Sequence, residues 1–71
     1  MTEQEFIEMI VEEAGLPPQE VTPETRLEEV GFDSIANMIV ITLIDQHFEK
    51  QITAPLVGQC ETFGDVYKLT Q

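Results

Sequence analysis

No glycine or proline falls among the fourteen residues from Ile35 to Phe48, and this run constrains the fold of a 71-residue chain more than anything else in it. Its Ile and Val content would suit a buried strand. Its length decides against that, because strands commonly stop at about six residues. Asp33-Ser34 stands just before it, and either residue is a good helix N-cap. The run therefore predicts a helix from about 34 to 49, and the rest of the chain must cover it. No helix-stapling device is available. One cysteine cannot form an internal disulfide, and Cys60 and His47 are the only soft metal ligands. A single domain over residues 1–71, held by helix packing alone, is the expectation.

The remaining elements follow from caps and breakers. Thr2 and Glu5 form a capping box. Phe6, Ile7, Ile10, Val11 and Ala14 then recur at helical spacing. Gly15 and Pro17-Pro18 end this first helix, over about 3–14. Residues 15–33 read as a long loop, with Leu16, Val21, Leu27, Val30 and Phe32 as scattered apolar anchors and a possible helical turn within Thr25–Val30. Thr53 reads as the cap of a short helix stopped by Gly58. Thr62 and Asp65 cap a last helix to about Leu69, weakened by roughly 1 kcal/mol at Gly64 relative to alanine. No convincing strand pattern occurs. The fold class is all-α: a four-helix bundle with a short third helix and a long loop between helices I and II.

Charge excludes several functions. Fourteen Asp and Glu against three Lys and Arg give a net charge of −11. Such a chain does not grip nucleic-acid phosphates and does not dock on an anionic membrane. Apolar residues make up 42% of it, too many for a disordered acidic tail. Its longest apolar stretch, Met38–Ile44, is far short of the roughly 20 residues that span a bilayer. The acidic N-terminus has no signal character, and a lone thiol suits a reducing compartment. A cytoplasmic location is expected.

Catalytic constellations do not assemble. Ser34 and His47 would lie about 20 Å apart on one helix, which precludes a triad. The paired acids Glu12-Glu13 and Glu28-Glu29 read as solvated surface, Cys60 as a small core or rim side chain, and no Gly-rich phosphate loop or metal-site spacing is present. An enzyme is not expected. Val30-Gly31-Phe32-Asp33-Ser34-Ile35 is the distinctive stretch. It places a serine hydroxyl at the start of the longest helix, where Ser34 or Asp33 serves at least as a cap. Free amides and the helix dipole also favour a phosphate there.

Gly31-Phe32-Asp33-Ser34-Ile35 resembles the Gly-x-Asp-Ser-Leu signature of acyl carrier proteins, with Ile35 in place of the usual Leu. Length, acidity, lack of Trp and the helix layout extend the resemblance over nearly the whole chain. The resemblance implies that Ser34 carries 4′-phosphopantetheine, attached from coenzyme A by a phosphopantetheinyl transferase, with Asp33 as an acidic contact for that enzyme. The chain would then be a monomeric, non-catalytic carrier holding acyl intermediates as thioesters. Its partners would be the acyl-transferring and acyl-modifying enzymes of fatty-acid, polyketide or specialised lipid biosynthesis. Aminoacyl, D-alanyl or peptidyl cargo is an alternative. So is a small acidic helical interaction module in which Ser34 is only a cap. Starting at Met1 and ending at Gln71, the chain reads as free-standing.

One departure stands out. Ala36 and Ile39 occupy positions that are commonly acidic in fatty-acid carriers, and the first acid within the helix is Asp45. On a helical wheel Val40, Ile41, Ile44 and Phe48 face a core, with Leu43 at its edge. Ile35, Met38, Ile39 and Thr42 form a second stripe. Either part of that stripe packs under the loop, against Leu27, Val30 or Phe32, or it is an apolar docking face. In the second case Asp33, Ile35, Ala36, Met38 and Ile39 form the partner surface.

Overall fold

A computed structural model describes residues 1–16 and 21–71. The expected stop at Pro17-Pro18 lies outside those residues. In order come α1 (Glu3–Ala14), a single 3-10 turn (Leu27–Val30), α2 (Ser34–Phe48), α3 (Ala54–Gly58) and α4 (Phe63–Lys68). No strand occurs among the described residues, only an isolated antiparallel bridge between Arg26 and Thr62.

Local chemistry accounts for each boundary. Glu5 N–H donates to the Thr2 hydroxyl, and Thr2 N–H donates to the Glu5 carboxylate, completing the capping box. Gly15 closes α1 in the left-handed region at φ 66°, which glycine enters without a Cβ penalty. The end of α2 has no glycine, yet Glu49 also turns left-handed at φ 55° and donates to the Asp45 carbonyl. Thr53 departs from expectation: its side chain caps nothing, and its backbone carbonyl alone accepts from Leu56 and Val57. The Thr62–Asp65 box at α4 forms in full.

The core is the reason α2 must be a helix with neighbours. Val40 and Ile44 are fully buried against Phe6, Ile7 and Ile10 of α1, Val57 of α3, and Phe63 and Val66 of α4. Ala36 and Leu43 join them, so the buried stripe runs 36, 40, 43, 44. This corrects the wheel assignment: Leu43 is core, whereas Ile41 and Phe48 are half-buried at its margin. Phe48 instead meets Phe6 edge-on, with centroids 5.4 Å apart, and Tyr67 at 6.5 Å.

The 21–33 segment is pinned to the start of α4. Leu27 N–H donates to the Glu61 carbonyl, Phe63 N–H to Thr25, and Gly64 N–H to Pro23, at 2.9, 3.1 and 2.8 Å. The last bond explains Gly64. A Cβ there would stand 3.1 Å from the Pro23 carbonyl oxygen, so the glycine that weakens the helix admits the loop.

Ile44→Ala should lower stability by about 2–5 kcal/mol. Met38→Ala, at a side chain 67% exposed, should change it by less than about 0.5 kcal/mol; denaturant titrations followed by circular dichroism compare the two. A pH dependence follows from the caps. Backbone N–H donors, from Glu61 and Thr62 to Asp65 and from Thr2 to Glu5, hold both carboxyls below their ordinary range. A lowered folded pKa adds stability above the unfolded value, and that stability is lost as pH falls through the folded one. Stability should therefore decline as pH drops below about 4, and Asp65→Asn should flatten part of that decline in urea midpoints measured against pH.

Candidate functional site

The approach to Ser34 is built from one turn and one cap. Gly31, at φ 71° and ψ 38°, ends the 3-10 turn in the left-handed region. Phe32 N–H then donates to the Leu27 carbonyl, and the Phe32 ring meets Phe63 edge-on at 6.3 Å. Phe32 thus packs on α4 and does not roof α2. Asp33 follows in extended conformation, and its carboxylate accepts from the Ala36 N–H at 2.9 Å while its carbonyl accepts from Asn37.

Asp33 is therefore the N-cap and Ser34 is the first helical residue. This separates the two roles that the sequence left joined. The Ser34 side chain is exposed, and no hydrogen bond within the described residues engages its hydroxyl. Two amides of the first helical turn, those of Ser34 and Ile35, lie ahead of the capped ones. A negatively charged group on Ser34 would meet the positive end of a fifteen-residue helix.

A groove of 330 Å³ adjoins the serine, where the 3-10 turn, α2 and α3 meet. Leu27, Phe32, Val57 and Cys60 supply its apolar lining, and Asn37 joins Ser34 along α2. Asn37 Nδ2 donates to the Ala54 carbonyl at 3.4 Å, whereas Oδ1 is buried with no partner. An unpaired buried acceptor is unfavourable by about 1–3 kcal/mol. A long, amide-bearing group with N–H donors fits such a groove beside an exposed hydroxyl. Asn37 was not singled out in the sequence, although it lies three residues after Ser34 and so shares its face. Cys60 is half-buried and donates weakly to the Leu56 carbonyl. Burial pushes its thiol pKa up, and the Asp65 charge adds to the shift.

The other expected partner-surface residues divide. Ile35 and Met38 are exposed at 65% and 67%, and Ile39 is half-buried against the core. Ala36 is 1% exposed and has no surface to offer, so it leaves the docking set. Its place is the first turn of the core stripe, where only a small side chain reaches α2's neighbours. Leu27 and Val30 turn inward and leave Ile35 and Met38 uncovered. Near the serine, Glu28 pairs with Arg26 at 3.1 Å, but both are exposed and the pair contributes under about 1 kcal/mol.

The family model describing a phosphopantetheine attachment site matches residues 4–69. Among curated proteins, the non-reducing polyketide synthase rdc1 of Metacordyceps chlamydosporia is 33% identical over 61 residues. That match covers 86% of this chain and 3% of the synthase, so the chain spans a small fraction of its relative's length. No solved structure matches the chain significantly.

Asp33→Ala should lower stability by about 1 kcal/mol through loss of the cap, with Ser34 still exposed. Alkylation by iodoacetamide at neutral pH should modify Cys60 more slowly than a free thiol in an unfolded control, because the raised pKa leaves less thiolate.

Proposed function

The chain belongs to the family of phosphopantetheine attachment domains, and on that premise we propose that Ser34 is the residue that carries the group. Domains of this family are carriers and are not themselves catalytic. The observation that supports Ser34 is its exposed hydroxyl, left free because Asp33 has taken over capping. In loading, Ser34 Oγ forms a bond to the phosphorus of coenzyme A, adenosine 3′,5′-bisphosphate leaves, and the serine proton passes to the transferase. When bound, the group supplies a terminal thiol that holds an acyl cargo as a thioester.

The remaining work falls to this chain's own residues. Asp33 fixes the first turn of α2 and presents a negative charge to the transferase. Gly31 and Phe32 hold the turn that leads to the serine, and Asn37 Oδ1 offers an acceptor in the adjoining groove. A tethered cargo is delivered to successive enzymes at high effective concentration. Similarity to a polyketide synthase favours polyketide intermediates over fatty-acid or lipid ones as the cargo. The described residues share one core, which supports reading 1–71 as one carrier unit. Among them no helix is long and apolar enough to cross a membrane. A charge of −11 opposes self-association. A monomeric cytoplasmic carrier is the resulting picture.

Incubation with coenzyme A, Mg²⁺ and a broad-specificity phosphopantetheinyl transferase should add one phosphopantetheine by intact mass, and Ser34→Ala should abolish the addition. No mass gain on the native chain, or a gain that survives Ser34→Ala, would overturn the assignment.

A further inference from the structure

A second and larger groove, of 540 Å³, lies between α1 and α2. Its floor is Leu43, with half-buried Met9 and Ile39 beside it, and its lip is formed by Ile35 and Met38. Those two lip residues are among the most exposed large apolar side chains of the chain. A contiguous apolar surface of this kind marks an interaction site more often than a lone exposed leucine does.

The two walls differ in charge. From Ile35 to Ile44 the α2 wall carries no charged residue. On α1, Glu5, Met9 and Glu13 follow at spacings of four, with Glu12 three after Met9, so acids flank the apolar floor on that side. A second copy of the chain would bring its own acids against these, with −11 on each partner. An occupant that is apolar towards α2 and basic towards α1 satisfies both walls. An amphipathic helix does so, since its anchors recur at i, i+3, i+4 and i+7, matching Ile35, Met38, Ile39 and Thr42 along α2. The wall from Ile35 to Gln46 is about 16 Å long, which is three turns of a partner helix.

We propose that the α1–α2 groove docks an amphipathic helix of a partner protein, its apolar face between Met9, Met38 and Leu43 and its Lys or Arg side chains over Glu13. The groove starts one residue after Ser34, so a partner seated there is held beside that serine. Docking does not require Ser34 to be loaded, and the unloaded chain tests it.

The probe is a synthetic helix of about four turns with leucines on one face and lysines along one flank, titrated into the ¹⁵N-labelled chain. Amide shifts should concentrate on Met9–Glu13 and Ile35–His47. Met38→Asp, checked for folding by circular dichroism, should weaken binding about tenfold. Glu13→Lys should weaken the lysine peptide and strengthen a version carrying glutamates in place of the lysines. Shifts centred on α3 or α4, unchanged affinity for Met38→Asp, or equal binding of both peptides to the native chain would overturn the proposal. So would a dimer in sedimentation equilibrium that Met38→Asp dissolves. Transferase loading of the same variants is a separate readout. Peptide binding without loading refutes the carrier reading alone, and loading without binding refutes the groove alone.

Discussion

Burial of one stripe of α2 governs the rest of this molecule. Ala36, Val40, Leu43 and Ile44 face inward, and α1, α3 and α4 are arranged to cover them. The chain has no disulfide and no metal-ligand cluster among the described residues to share that task. In a domain that buries only about 60% of its unfolded surface, the positions of Phe6, Ile7, Ile10, Phe63 and Val66 follow from the stripe they enclose. The same commitment leaves the flank of α2 that carries Ile35 and Met38 without a cover from this chain.

At the start of α2, capping and attachment fall to different residues. A serine that capped its own helix would have its hydroxyl held by an amide. Here Asp33 accepts the amide bond and Ser34 is displaced one position into the helix, outward and unengaged. The cap carboxylate and an attached phosphodiester would then be neighbours of like sign, and the helix dipole and free amides offset that repulsion. Asn37 adds an acceptor on the same face, one turn further on.

Local chemistry was legible in the sequence, and nonlocal chemistry was not. Both capping boxes, the Gly15 and Gly31 turns, and the bounds of α1 and α2 follow from residues within four positions of one another. Ser34 was conspicuous because a polar turn meets a long apolar run there. The phase of α2 was harder to read. A helix apolar on nearly all sides gives a wheel no preferred direction, so Ile41 was ranked above Leu43, and Ala36 was taken for surface. Three-dimensional neighbours decide such a case. The clamp between Pro23–Leu27 and Glu61–Gly64 joins segments nearly forty residues apart through backbone atoms, which carry no side-chain signature. Only Gly64, out of place in a helix, hinted at it.

That clamp has a consequence for the order in which the protein is made. The turn that aims Ser34 rests on Phe63 through Phe32 and on Glu61 through the Leu27 amide. Both supports lie in the last eleven residues of the sequence. A nascent chain that has emerged as far as α2 holds the serine but lacks the ties that set its approach. The modifiable site thus matures at the end of synthesis, and a growing chain presents a different surface to a modifying enzyme from the finished one.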